Sequence, residues 1–97
     1  MHARVTRFQV SPDRLDEVND YFQETVLPRA RPLRGFKGAV ALADRESGNV
    51  FSFTLWESED VMQASENAAE GIRGQASTDL GFTPTVERYE VAAFEVV

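Results

Sequence analysis

The 97-residue chain is predicted to fold as a single α+β domain with an antiparallel sheet, and three observations predict it. Segments of period two, rich in β-formers, alternate with stretches of helical spacing. A serine followed by acids opens a helix twice, at Ser11-Pro12-Asp13 and at Ser58-Glu59-Asp60. Between two of the β segments, Asp44-Arg45-Glu46-Ser47-Gly48-Asn49 is a turn cluster of hairpin length. The resulting order is βαββαβ.

Each element has its own local reason. Ala3 to Val10 alternates, with Thr6, Phe8 and Val10 on one side, and reads as a strand. Ser11 is placed to cap a helix, with Pro12 at its first position and acids in its first turn. Leu15, Val18, Phe22, Thr25 or Val26, and Arg29 follow at helical spacing, with Asp13, Asp16, Glu17, Asp20 and Glu24 on the other face. Pro28 and Pro32 bracket the expected end of this helix, and Gly35 closes it. Strands follow at about Phe36 to Ala43 and Asn49 to Trp56. Ser58 opens a second helix through Val61, Met62, Ala64, Ser65, Ala68 and Ala69. Gly71, Gly74 and Gly81 are expected to loosen the chain beyond it, around one short helical turn. A last strand is expected from about Thr85 to Phe94. This order is the split βαβ pattern of ferredoxin-like folds. No repeat, low-complexity stretch or linker interrupts it, so residues 1–97 form one domain.

The sheet strands are unusually apolar on both faces. Phe36, Val40 and Leu42 are expected to share one side of their strand, with Ala39, Ala41 and Ala43 on the other. In the next strand, Phe51, Phe53 and Leu55 oppose Val50, Ser52, Thr54 and Trp56. A sheet with one wet face shows cleaner alternation than this. Helices in a βαββαβ order cover a single face, so the other is expected to be covered by a second copy of the chain, as a homodimer.

Composition excludes several function classes. Asp+Glu number 16 against Lys+Arg 10, a formal net charge of −6. That balance argues against nucleic-acid binding, which rests on neutralising phosphates, and against a polybasic membrane patch. No cysteine is present, so disulfides, thiolate metal sites and cysteine nucleophiles are excluded. The one histidine is His2, near a terminus expected to be mobile, which removes histidine triads and imidazole metal sites. Charges run through the first twenty residues with no apolar core, and no segment approaches the roughly 18 apolar residues of a membrane span. The expectation is a cytoplasmic protein whose partners are small molecules or other chains.

Few residues stand out as chemical. Trp56 reads either as a core anchor or as the aromatic wall of a ligand pocket. Arg29, Arg31, Arg34 and Lys37 lie where the first helix ends, either complementing its dipole or meeting an anion or a salt-bridged dimer contact. Arg7 and Arg88 lie within strands, where Glu87, Glu90 and Glu95 are the expected ion-pair partners. Tyr21 and Tyr89 are packing residues or phenolic donors to a ligand carbonyl. No carboxylate pairing singles out an acid/base couple or a metal cage, and Gly71-Ile72-Arg73-Gly74 is too short for a phosphate loop.

With this order in place, two runs carry a resemblance. Arg34-Gly35-Phe36-Lys37-Gly38 enters the second strand, and Phe53-Thr54-Leu55-Trp56-Glu57-Ser58-Glu59-Asp60 crosses from the third strand into the second helix. On them the chain resembles the antibiotic biosynthesis monooxygenase family of dimeric α+β barrel proteins, over nearly its whole length. The resemblance implies two sheets packed into a barrel, with a pocket in each protomer between sheet and helices. Some members oxygenate polycyclic phenols to quinones without metal or flavin, the substrate supplying electrons to oxygen; others degrade haem.

Carried over residue by residue, Trp56 matches the pocket tryptophan of both branches. The haem branch has an asparagine on the first strand and a histidine in the second helix, where this chain has Thr6 and about Glu66, so haem degradation is not expected. The quinone-forming branch has an asparagine on the tryptophan strand, here Ser52, a tyrosine early in the second helix, here Met62, and an arginine further on, matched by Arg73. The implied function is a cofactor-independent monooxygenase acting on a small aromatic, phenolic or quinone-type compound. Its site would comprise Trp56, Thr6, Ser52 and Arg73, with Arg7 the other source of positive charge and no metal. The alternative is a non-catalytic dimeric module that binds a small ligand or regulates.

Overall fold

A computed structural model describes residues 1–97. Four antiparallel strands, β1 (His2–Gln9), β2 (Phe36–Ala43), β3 (Asn49–Trp56) and β4 (Thr85–Glu90), form one sheet in the order β2-β3-β1-β4. The helices α1 (Leu15–Tyr21), α2 (Leu27–Ala30), α3 (Glu59–Ala64) and α4 (Glu66–Leu80) complete the βαββαβ arrangement. This is the ferredoxin-like α+β fold. No helix is long and apolar enough to cross a membrane.

The first helical region is longer and less regular than its prolines suggest. It opens with a 3-10 turn, Pro12–Arg14, and Ser11 makes no side-chain cap; its hydroxyl instead donates to Asp13. Pro28 lies inside α2 and does not end it. A proline there has no N–H to give and its ring crowds the carbonyl four residues back. The chain relieves that crowding with a π-helical turn, Phe22–Val26, in which the Leu27 N–H reaches the Phe22 carbonyl.

The second helical region departs further from expectation. Ser58 does cap α3, its hydroxyl accepting from the Val61 N–H. Gly71 and Gly74 do not loosen the chain; both lie within the 15-residue α4. Each glycine costs about 0.5–1 kcal/mol relative to alanine. The buried Ala76 and Leu80 offset that cost by packing with Leu15, Val18, Val50 and Phe82 in one core cluster. The helix ends at Gly81, whose φ of 72° is the left-handed cap that favours glycine.

Registers fix which residues share a face. Arg4 pairs with Thr54 and Thr6 with Ser52, so these four, with Phe8 and Trp56, lie beneath the helices. Phe36 was expected beside Val40 and Leu42. An irregularity between Phe36 and Gly38 shifts the β2–β3 register and places Phe36 opposite Trp56, their rings 5.5 Å apart edge to face. Val40 and Leu42 remain on the outer face, 46% and 50% exposed. Phe51, Phe53 and Leu55 share that face with them. Strand β4 stops at Glu90 and residues 91–97 have no regular structure, which shortens the strand expected to reach Phe94. At the other end His2, expected near a mobile terminus, lies within β1, opposite Trp56 and Glu90.

Candidate functional site

Between the helix-covered sheet face and the helices lies a cavity of about 100 Å³. Strands β1 and β3 supply its floor and α1, α2, α4 and the π-helical turn its roof. Apolar side chains make up most of the wall; the polar ones are Arg4, Thr6, Ser52, Thr54 and Arg73. All four residues singled out from the sequence, Trp56, Thr6, Ser52 and Arg73, line this one space. The strand period brings Thr6, Ser52 and Trp56 together, and α4 brings Arg73 over them. The wall contains no His, Cys, Asp or Glu.

Trp56 is 1% exposed and serves as core and wall at once. Its indole N–H donates to Thr54 Oγ1 at 3.0 Å, so the donor is satisfied within the protein and the ring presents an apolar surface. The Arg4 guanidinium lies 5.3 Å from the ring centroid, within cation–π range.

Arg4 was not singled out from the sequence, yet it is the most unusual residue here. It is 3% exposed. Its Nη2 donates to the Met62 carbonyl at 2.9 Å, to Ser65 Oγ at 3.2 Å and to Glu66 Oε2 at 2.8 Å, while Nε is buried with no partner. Glu66 in turn binds Arg88 through both carboxylate oxygens, and Arg73 lies 3.7 Å from Oε1. One carboxylate therefore faces three guanidiniums. Burial alone pushes the Glu66 carboxyl up, but hydrogen bonds from Arg88 and Arg4, with their charges, outweigh it and hold the group below its ordinary value. Desolvation lowers Arg4 against the pull of Glu66; an arginine stays charged regardless.

The remaining candidates separate cleanly. Arg88 pairs with Glu66 rather than with Glu87, Glu90 or Glu95, because its register opposite Arg4 places it on the helix-covered face. Arg7 has the expected partner, Glu87, at 2.9 Å, but faces away from the cavity. Tyr21 lines the cavity with its hydroxyl donating to Asp79 at 2.8 Å; burial, then that bond, raises its pKa. Tyr89 lies on the outer face and donates to Glu87, so it cannot reach the cavity. Arg29, Arg31, Arg34 and Lys37 are exposed and form none of the ion pairs, although Ala30 and Leu33 between them line the cavity. Period-two alternation carried a signal for both missed wall residues: Thr54 lies between Ser52 and Trp56 on their face, and Arg4 two residues before Thr6.

Comparison with known proteins agrees with this fold. An uncharacterised protein of Mycobacterium tuberculosis is 31% identical over 93 residues, 96% of this chain; the chain spans 42% of that relative's length. Among solved structures, the monooxygenase ActVA-Orf6 of Streptomyces coelicolor, in complex with nanaomycin D, superposes with a TM-score of 0.74 at 22% identity, covering 99% of this chain and 92% of that one. SnoaB, a cofactor-independent oxygenase from Streptomyces nogalater, superposes at 0.68 with 21% identity, covering 96% and 94%. The model of the antibiotic biosynthesis monooxygenase family matches residues 1–76, and the chain belongs to that family.

Proposed function

We propose that the cavity binds a small aromatic, phenolic or quinone-type compound and that the protein oxygenates it without a cofactor. The observation that carries this is the cavity itself: an apolar slot floored by Trp56 with Thr6, Ser52 and Arg73 on its wall. Trp56 provides the flat surface on which a ring lies, and the two hydroxyls orient its oxygen substituents. The wall holds no carboxylate, imidazole or thiol to act as base. A phenol here loses its proton to solvent water, helped by the positive charge of Arg73, which lowers the pKa of the substrate itself. The resulting electron-rich anion reduces dioxygen directly. For a ring CH₂ flanked by the phenol, one oxygen atom enters as C=O, the other leaves as water, and the substrate supplies all the electrons.

A haem does not fit this site. The cavity wall offers no histidine or cysteine to ligate its iron. Glu66, near where the haem branch has its histidine, is tied to Arg4 and Arg88 and cannot serve as an imidazole does.

Oxygen uptake with anthrone-like phenols tests the proposal. Consumption above background, with the quinone appearing as product and with turnover reduced in Trp56→Phe, is expected. Binding without any uptake would leave the non-catalytic ligand-binding module as the correct reading.

The same reading includes a homodimer. Val40, Leu42, Phe51, Phe53 and Leu55 form an apolar outer face that the chain's own helices leave open, and a second copy of that face is its natural cover. Sedimentation is expected to give twice the chain mass of 10.9 kDa, and Leu42→Glu to shift it toward the monomer. A monomer at all concentrations would refute this.

A further inference from the structure

Arg73 is only 17% exposed and makes no hydrogen bond to the chain. Its nearest acceptor, Glu66 Oε1 at 3.7 Å, is beyond hydrogen-bonding distance. Glu66 is already committed, with Arg4 on Oε2 at 2.8 Å and Arg88 on both oxygens. Three guanidiniums against one carboxylate leave a surplus of two positive charges at the polar end of an otherwise apolar cavity. The hydroxyls of Thr6 and Ser52, on the same wall, are likewise without hydrogen-bond partners in the chain. A half-buried cation whose one counter-ion is shared with two other guanidiniums is under-compensated until a further anion meets it.

We propose that the cavity selects an aromatic anion, whose carboxylate or phenolate oxygen binds Arg73, and that Arg4 is a positioning residue that keeps Glu66 from closing into a hydrogen bond with Arg73. This rests on the cavity being a ligand site. Arg4 acts at a distance from the ligand. Its guanidinium, anchored by the Met62 carbonyl and Ser65 Oγ, fixes the carboxylate on the far side of the 3.7 Å gap. Without that anchor the carboxylate is held by Arg88 alone, at the exposed side, and can close the gap to Arg73.

Calorimetric titration of the full chain with benzoate and with benzamide, its neutral counterpart of the same shape, tests the proposal. A parallel pair uses 4-nitrophenol in its ionised and un-ionised forms. The anion is expected to bind about tenfold tighter than its neutral partner, equivalent to about 1.4 kcal/mol. The pair with the larger ratio identifies the preferred group. Arg73→Met is expected to abolish the ratio. Glu66→Gln, which removes the competing carboxylate, is expected to raise it. Arg4→Met is expected to reduce it with Arg73 still present, and Arg4→Met/Glu66→Gln to restore it, a rescue that a merely structural role for Arg4 would not produce. Equal binding of anion and neutral form, or a ratio unmoved by Arg73→Met, overturns the proposal while leaving the cavity as a ligand site. Failure of every probe to bind overturns it together with that reading.

Discussion

Replacing Trp56 with alanine is expected to destabilise the protein by about 3–5 kcal/mol, the largest loss from any single substitution on the cavity wall. The ring is buried to 1% exposure and is one of the two largest fully buried side chains. Its removal costs the transfer free energy of an indole and enlarges a cavity that is already present beside it. Phe36 loses its edge-to-face partner, Arg4 loses the ring it lies over, and Thr54 Oγ1 loses its donor. Domains of this kind have about 5–15 kcal/mol in total, so the variant retains a thin margin at best. Trp56→Phe keeps an aromatic body and is expected to lose less. Urea denaturation followed by circular dichroism measures both, since the substitutions remove the chain's one tryptophan. A loss below about 1 kcal/mol for Trp56→Ala would mean the ring is pocket wall without being core.

The second large effect concerns Glu66. Glu66→Ala leaves Arg4 charged at 3% exposure with only neutral acceptors, the Met62 carbonyl and Ser65 Oγ. Stranding a buried charge in this way costs about 3–5 kcal/mol. Glu66→Gln is expected to cost less, because the amide oxygen still accepts from Arg4. The same pair sets a pH dependence. The Glu66 carboxyl is held below its ordinary 4.5 in the folded protein, so the unfolded chain takes up the proton first. The stabilisation is complete above the ordinary value and is lost as pH falls through the lower, folded one. Urea midpoints measured across that acid range should fall less steeply in Glu66→Gln than in the parent. An unchanged slope would show that other carboxylates govern the acid limb.

Much of the architecture is legible because it is encoded locally. The hairpin strands β2 and β3 have the expected bounds, Phe36–Ala43 and Asn49–Trp56, because the five turn-forming residues Asp44 to Gly48 separate two short β-rich runs. Ser58 caps α3 as its spacing requires. The misreadings occur where a local preference is outweighed by packing. Gly71 and Gly74 lower helix propensity, yet burial of Ala76 and Leu80 carries α4 through them. Pro28 signals a helix end, yet the π-helical turn absorbs it. Phe36 changes face because of an irregularity that strict alternation cannot foresee.

The candidate site divides along the same line. Ser52, Thr54 and Trp56 share a face by strand periodicity alone, and Thr6 joins them through the β1–β3 register. Composition by itself showed that no cysteine is present, that His2 is the one histidine, and that the net charge is −6. The meeting of Arg4 with Glu66, and of both with Arg73 and Arg88, was decided by tertiary structure. Arg4 and Arg88 face each other only because β1 and β4 are neighbours in the sheet, and Glu66 reaches both only because α4 crosses above them. Periodicity and capping act within a few residues, so the sequence determined the strand and helix order and, Phe36 apart, which side chains of β1, β2 and β3 share a face. Pairing of charges about sixty residues apart depends on strand order and on how burial weakens solvent screening, and those exist only once the chain has folded.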